Sequence, residues 1–331
     1  MYEVFEQHEP EIFSMADIEA TEVEWLWQDF IPLRKVTILQ GDPGEGKTTA
    51  MLQIIASLTT GRPIISSKGD EPITKPCNVI YQTAEDGLAD TIKPRLLAAG
   101  ADCLRVQVIN EEKYPLTMTD RQLETALIRT KAKLVVLDPL QAYLGAGVDM
   151  HRANEIRPIM ARLAFLAERG NCAIVLIGHM NKASMMKSSY RGLGSIDFTA
   201  AARSVIVCGR VKDEPDIRVL VPVKSSLAYE PTPVAFRLSK ENGFEWIGEY
   251  EITAEELLSG SSNGRKIDKA KEFLKEVLDD KMVPSTELKE MAAARGIKEK
   301  TLRNAQKELG TVPVKDGDRW YTSLPEKEKE E

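Results

Sequence analysis

Between residues 41 and 48 the chain reads Gly41-Asp42-Pro43-Gly44-Glu45-Gly46-Lys47-Thr48, which satisfies the phosphate-loop pattern GxxxxGK(S/T) in full. Residues 36–39 are apolar and β-branched, which predicts a strand, and residues 49–58 have the apolar spacing of a helix. A strand, a glycine-rich loop and a helix in this order form the context in which the motif binds phosphate. The stretch therefore predicts a nucleoside triphosphate site.

Each residue type in this loop has a chemical reason. Glycines let the backbone pass close to a polyphosphate with its N–H groups pointing inward, and the helix directs its positive dipole end at the same anion. Lys47 is expected to reach the β- and γ-phosphates, and the Thr48 hydroxyl to complete the coordination of Mg²⁺. The predicted nucleotide-contacting residues are Gly41, Asp42, Pro43, Gly44, Glu45, Gly46, Lys47, Thr48 and Thr49.

The composition is that of an ordinary globular protein with room for one large and one small domain. The chain has 331 residues, of which 43% are hydrophobic and 29% charged. A net charge of −7 argues against a broadly basic nucleic-acid coat and leaves a local basic patch open. Four widely spaced cysteines favour a reducing compartment over a disulfide framework or a zinc site. The N-terminus lacks a signal pattern and no apolar run approaches a membrane span, so we expect a soluble, cytoplasmic protein without membrane contact.

Strand and helix patterns alternate along the first two hundred residues. Buried strands are predicted at 79–83, 105–109, 133–138 and 172–177, and helices at 89–99, 123–131 and 154–169. This alternation predicts the α/β class, with a mostly parallel sheet covered on both faces. Four later β segments, joined by turns, are expected to pair antiparallel at one edge: 203–208, 217–223, 234–238 and 244–247.

The C-terminal part has a different pattern, which divides the chain. Helices are predicted at 266–278, 286–295 and 298–309, followed by a hairpin at 312–321, and this order is the outline of a winged helix. A Ser- and Gly-rich stretch precedes them and indicates a linker. The predicted units are an N-terminal arm 1–21, a nucleotide-binding domain 22–257, a linker 258–265, a winged-helix domain 266–325 and an acidic tail 326–331.

Three polar residues follow predicted strands, where ligands of a parallel sheet bind. Asp138 is the candidate for holding Mg²⁺, together with Thr48. Glu85 is the candidate general base that polarises the attacking water, and Asp86 is the competing carboxylate. His179 is a candidate sensor of the γ-phosphate, by hydrogen bonding to phosphate or to the water network.

Two segments are candidates for nucleic-acid contact. Residues 183–196 lack periodicity and are rich in Ser, Gly and Met; this segment is either a ligand loop or a solvated linker. Its phosphate contacts would come from Lys187 and Arg191, and its stacking face from Tyr190. The third helix of the winged-helix candidate offers Lys300, Arg303 and Lys307, either to DNA or in a module that docks a protein.

Residues 22–250 resemble the RecA/DnaB-type ATPases, and within them the RepA-like hexameric helicases of plasmids and prophages. The resemblance is carried by the phosphate loop, Thr83-Ala84-Glu85-Asp86, the strand 134–138, His179, Arg203 in Ala201-Ala202-Arg203, and Val223-Lys224-Ser225-Ser226. It implies a RecA-like P-loop core that hydrolyses ATP with Mg²⁺. It also implies a homo-oligomer, a hexameric ring with the nucleotide between subunits, in which Arg203 and Lys224 are similar to the trans-acting fingers.

The function that this resemblance implies is an ATP-driven helicase or translocase on single-stranded or forked DNA, in the replication of a mobile element. An ATP-switched regulator or loader, addressed to DNA by the winged helix, is an alternative of another class. A recombination mediator of the RadA type is a third, although the zinc-binding cysteines and the KNRFG motif of that family are missing.

Overall fold

The computed structural model describes residues 12–65, 75–180, 196–259, 263–279, 281–317 and 319–325. Within these ranges the strands are β1 (Trp25–Trp27), β2 (Ile31–Pro32), β3 (Val36–Gly41), β4 (Val79–Thr83), β5 (Val106–Gln107), β6 (Leu134–Asp138), β7 (Ala173–His179), β8 (Ser204–Val211), β9 (Glu214–Ser225), β10 (Val234–Ser239), β11 (Gly243–Glu249), β12 (Val283–Pro284), β13 (Val312–Asp316) and β14 (Arg319–Ser323). The α-helices are α1 (Lys47–Thr60), α2 (Lys93–Ala98), α3 (Arg121–Thr130), α4 (Ala153–Gly170), α5 (Ile196–Ala201), α6 (Ala254–Ser259), α7 (Asn263–Val277), α8 (Ser285–Ala294) and α9 (Glu299–Leu309).

Nine of the described strands form one sheet in the order β11-β10-β9-β8-β3-β7-β6-β4-β5. The strands from β8 to β5 in this order run parallel to their neighbours. The strands β8, β9, β10 and β11 pair antiparallel in succession. The predicted fold class, an α/β protein with a mainly parallel sheet and an antiparallel edge, is therefore confirmed.

Helices cover both faces of this sheet and bury a core on each. Leu123 of α3 and Leu163 of α4 pack with Ile38 on one face, and Ile54 of α1 packs with Leu39 on the other. Successive residues of β3 thus point to opposite cores, and a strand buried on both faces reads as a continuous apolar run. None of the helices in the described ranges is both long and apolar enough to cross a membrane.

Two predicted elements differ from the structure at their ends. The strand predicted at 105–109 is shortened to β5, because the side chain of Gln82 accepts the N–H of Ile109 at 2.6 Å and donates to its carbonyl at 3.3 Å. The helix predicted from Ala89 begins as a π-helical turn, Leu88–Ile92, before α2. Pro94 has no N–H to donate at this junction, so the regular helical ladder is interrupted there.

The residues after 262 enclose a smaller core of their own. Phe273, Leu288 and Leu302 come together from α7, α8 and α9, beside a separate antiparallel sheet in the order β12-β14-β13. The three helices and the hairpin expected here are present, whereas the winged-helix assignment and the domain boundaries stay predictions. The linker predicted at 258–265 overlaps the ends of α6 and α7, and residues 260–262 lie outside the described ranges. The tail 326–331 and the first part of the N-terminal arm also lie outside them.

Candidate active site

The phosphate-loop sequence folds as a tight turn between β3 and α1. Gly44 (φ 79°) and Gly46 (φ 87°) have left-handed backbone conformations that favour glycine. Gly41 has a different constraint, since a Cβ there would lie 2.2 Å from the carbonyl oxygen of Cys208 on β8. With these glycines the loop fits beside β8 and the N-terminus of α1 presents backbone N–H groups that suit an anion.

Lys47 lies beneath this loop with only 5% of its surface exposed. Its ammonium donates to the carbonyl oxygens of Gly41 at 2.9 Å and Asp42 at 2.8 Å. Burial lowers the pKa of Lys47, and nearby groups including Asp138 oppose the decrease. A poorly hydrated ammonium at this position interacts strongly with an anion in the loop.

Two hydroxyl groups converge on Asp138 at the carboxyl ends of β4 and β6. Thr48 donates to Oδ2 of Asp138 at 2.7 Å, and Tyr81 donates to the same oxygen at 2.9 Å. Burial raises the pKa of Asp138, while these two hydrogen bonds and Lys47 oppose the increase. Hydroxyl and carboxylate oxygens are the hard ligands that Mg²⁺ prefers, so Thr48 and Asp138 fit the predicted metal site. Sequence reasoning missed Tyr81, because a tyrosine within an apolar strand is typical of core.

Glu85 and His179 lie together at the same edge of the sheet. His179 ends β7 opposite Gly41 of the phosphate loop, and its Nε2 is 3.7 Å from Oε1 of Glu85. Nδ1 of His179 is buried without a hydrogen-bond partner among the described residues. Asp86, the competing carboxylate, instead contacts Arg95 at 3.4 Å. This arrangement favours Glu85 over Asp86 as the candidate base.

Strand β8 supports the phosphate loop from its other side. The thiol of Cys208 donates to the carbonyl of Glu45 at 3.2 Å, and burial raises the pKa of Cys208 to about 12, so the group stays a thiol. Arg210 donates to the carbonyl of Gly44 at 3.4 Å, and its Nε is 3.7 Å from the carboxylate of Glu45. Neither Cys208 nor Arg210 was a predicted site residue, since no local motif marks a late strand as a neighbour of the loop.

Residues 6–185, more than half of the chain, match the family described as "AAA domain" (AAA_25). The chain belongs to this family. It is a P-loop ATPase of the RecA/DnaB type, as the sequence motifs predicted.

This AAA-domain ATPase is similar to curated proteins named DNA repair protein RadA. It is 26% identical to that of Streptococcus pyogenes serotype M3 over 148 residues and 27% identical to that of Listeria monocytogenes serovar 1/2a over 150 residues. Each alignment covers 44% of this chain and 28% of the relative, so the chain spans less than a third of the length of these curated relatives.

Solved structures similar to this ATPase include the isolated ATPase domain of another protein, with a TM-score of 0.48, 14% identity, and coverage of 66% of this chain and 85% of that chain. A KaiC-like protein from Pyrococcus horikoshii OT3 has a TM-score of 0.48, 15% identity, and coverage of 68% and 99%. The family assignment rests on the match over residues 6–185.

The predicted finger residues of the ATPase lie at the other end of the sheet from the phosphate loop. The backbone N–H of Arg203 donates to the carbonyl of Val36 at 3.0 Å, at the start of β3. Gly41 ends the same strand five residues later, about 16 Å away at 3.3 Å per residue. Lys224 pairs with Val205 near Arg203, so both cations are at this far end.

Lys224 is already bound within its own chain. Its ammonium donates to the carbonyls of Thr199 at 2.9 Å and Ala200 at 2.8 Å, at the C-terminal end of α5. Burial lowers the pKa of Lys224, and the positive charge of Arg203 lowers it further. The structure thus gives Lys224 a contact that the sequence did not indicate.

The predicted DNA-contacting residues are only partly described. Lys187, Tyr190 and Arg191 lie outside the described residues, and so does the side chain of Lys300. Arg303 and Lys307 belong to α9, where Arg303 is 3.7 Å from Glu299.

Proposed function

We propose that this ATPase is a ring-forming DNA motor, a helicase or translocase of the RepA-like type that acts on single-stranded or forked DNA during replication of a mobile element. The observation that carries the proposal is the separation of two charged groups of residues. Lys47, Glu85 and Asp138 lie at the carboxyl end of the parallel strands, whereas Arg203 and Lys224 lie near the amino end.

This separation favours action between copies of the chain. A span of about 16 Å along β3 is longer than an arginine side chain, so Arg203 cannot reach its own phosphate loop. In a ring of identical subunits, the finger end of one copy meets the nucleotide end of the next. A cation supplied in this way stabilises the charge of the transition state and makes turnover depend on the neighbour.

Each residue at the nucleotide end has a proposed role. Lys47 and the N–H groups of the loop bind the phosphates, and Thr48 with Asp138 holds Mg²⁺, which when bound neutralises charge on the β- and γ-phosphates. Glu85 accepts a proton from the attacking water. His179, 3.7 Å from Glu85, responds to the γ-phosphate and stands just before the sequence segment 181–195.

Lys224 provides a route by which the fingers are coupled to DNA. It ties β9 to the carbonyl end of α5, and α5 follows the segment that carries the proposed DNA contacts, Lys187, Tyr190 and Arg191. A neighbour's phosphate competes for the same ammonium. When Lys224 turns toward that phosphate, α5 loses its tie, so we propose that nucleotide state changes the position of the DNA segment through this lysine.

The C-terminal module favours a second candidate function, an ATP-switched regulator or loader. Its hairpin exposes 55% of Trp320, with the ammonium of Lys315 at 5.9 Å from the ring centre. Together with Arg303 and Lys307 on α9, this surface has cations for phosphates and an aromatic face for stacking on a base.

Paired assays distinguish the two functions. A motor is expected to hydrolyse ATP faster when single-stranded DNA is added and to displace a labelled strand from a forked substrate. Lys47→Ala provides the control without turnover. A switch would bind DNA in an ATP-dependent way without DNA-stimulated turnover and without strand displacement, and that result would reject the motor.

A further inference from the structure

The N-terminal arm exposes several large apolar side chains close together. The exposed fractions are 85% for Ile12, 66% for Phe13, 80% for Met15 and 54% for Ile18. The arm is locally ordered, since Ser14 caps a short 3₁₀ turn by accepting the N–H of Ala16 at 3.2 Å. Four exposed apolar groups within seven residues form a patch typical of a segment that docks on another surface.

A groove of matching character lies at the free edge of the main sheet. This edge groove has a volume of about 560 Å³ and is lined by β5, residues 108–110 and α3. Strand β5 pairs with β4 on one side and is the last strand in the sheet order, so its outer backbone groups are available to an added strand. Val108, 43% exposed, and Ala126 supply apolar contacts.

The charges of the arm and of the edge groove are opposite. Arg121 and Arg129, both exposed on α3, line the groove, and no ion pair joins either of them to a described residue. The arm carries Asp17, Glu19 and Glu22, all exposed. A second groove of about 410 Å³, between the ends of α3 and α4, also has cations but no strand edge. The edge groove therefore fits an extended, acidic and apolar segment better.

We propose that residues 12–18 of one copy dock in the edge groove of the next copy, alongside β5. This inference rests on the proposed assembly of copies into a ring. The arm is long enough to reach its own groove, because thirteen extended residues span about 40 Å while four strand spacings span about 19 Å. In the single chain its apolar side chains nevertheless stay exposed. A contact from arm to groove joins two different surfaces, so it is head-to-tail and closes a ring when repeated.

The test uses two full-length variants, one altered in the arm (Phe13→Asp with Met15→Asp) and one altered in the groove (Arg121→Glu with Arg129→Glu). Mass photometry with a non-hydrolysable ATP analogue and Mg²⁺ is expected to show assemblies for wild type and monomers for each variant. An equal mixture of the two variants is expected to form dimers, because one intact arm then meets one intact groove. Ile128→Asp, which changes an exposed apolar residue of α3 outside the groove, is the matched control and should assemble normally.

The contrary outcomes separate this inference from the proposed function. If both variants assemble like wild type, the arm does not dock there, and the ring itself is unaffected. If the mixture remains monomeric, the arm uses its own groove or another surface. If wild type is monomeric while binding the ATP analogue normally, the proposed ring and the docking both fail. Binding of a fluorescent ATP analogue to every variant verifies that each one is folded.

Discussion

The hydroxyl of Tyr81 donates a hydrogen bond of 2.9 Å to Oδ2 of Asp138, from a side chain that is completely buried. Asp138 thus has one neutral donor from the core, in addition to Thr48 from the phosphate loop. A hydrogen bond to the ionised carboxylate favours its charged form and fixes its direction. Tyr81 therefore positions the candidate metal ligand without being expected to contact the nucleotide.

Tyr81→Phe is expected to weaken the use of Mg²⁺ while leaving turnover largely intact. A hydrogen bond to a charged group contributes about 1.5–3 kcal/mol, so the Mg²⁺ concentration for half-maximal ATPase activity should rise roughly 10-fold or more. At saturating Mg²⁺, kcat should recover to near the wild-type value. Tyr143→Phe removes another buried tyrosine hydroxyl, one that makes no hydrogen bond to Asp138, and serves as the control. An equal effect of both substitutions would contradict the positioning role.

Local signals in the sequence sufficed for the phosphate loop but not for Tyr81. The loop is a continuous motif whose flanking strand and helix are visible in the adjacent residues, and Asp138 ends a recognisable apolar strand. The bond between Tyr81 and Asp138 instead depends on the pairing of β4 with β6, which places Thr83 opposite Asp138. That register is a tertiary property, and a sequence pattern of period two does not specify it.

Lys47→Ala is expected to abolish hydrolysis and to weaken nucleotide binding, because the loop loses the ammonium that lies beneath it. Turnover and the binding of a fluorescent ATP analogue are the measurements. Lys35→Ala, which removes a surface lysine paired with Glu168, should change neither. Turnover near the wild-type rate in Lys47→Ala would reject the phosphate-loop assignment.

Glu85→Gln is expected to retain ATP binding while slowing hydrolysis by about 10²-fold or more, the usual effect of losing a general base. The neighbouring Asp86→Asn is the comparison, since Asp86 contacts Arg95 and not His179. Single-turnover hydrolysis measures both variants after binding has been verified. If Asp86→Asn has the slow phenotype and Glu85→Gln does not, the base is Asp86.

Arg203→Ala is expected to act in trans, because its position at the start of β3 excludes contact with its own loop. When increasing amounts of the variant are mixed with wild type at constant total protein, ATPase activity should fall more steeply than by dilution alone. Arg62→Ala, a surface change at the end of α1, should only dilute. A linear decrease with Arg203→Ala would mean that the arginine works within its own subunit or not at all.

The distribution of charges along the sheet was outside the reach of the sequence alone. Arg203 and Lys224 were identified by resemblance, but their distance from Lys47 follows from the parallel register of β3 with β8, Thr37 opposite Ser204. The edge groove depends likewise on a detail of packing, the side chain of Gln82 that replaces a longer β5. Helices and strands were predicted from periodicity, whereas these contacts depend on residues distant in sequence.

The C-terminal module has its own core, separate from the cores on the two faces of the main sheet. Helix α6 belongs with the ATPase, since Leu257 packs with Val207 and Val219 of the sheet. Truncation after Gly260 is therefore expected to leave a folded ATPase with basal turnover, while affinity for duplex or forked DNA decreases. Circular dichroism, basal ATPase activity and DNA binding at several salt concentrations are the measurements.

Replacing Lys300, Arg303 and Lys307 by Ala in the full-length chain should reproduce the loss of DNA affinity without removing the module. Each phosphate contact contributes roughly 0.7–0.9 to the slope of log affinity against log salt, so the slope should flatten by up to about three contacts. Ala at Lys275, Lys281 and Lys289, which removes the same charge from other elements, should leave the slope nearly unchanged. Equal affinity and slope for wild-type, triple-variant and truncated proteins would reject DNA contact by α9. The exposed cations would then favour the other open interpretation, in which the module docks a protein.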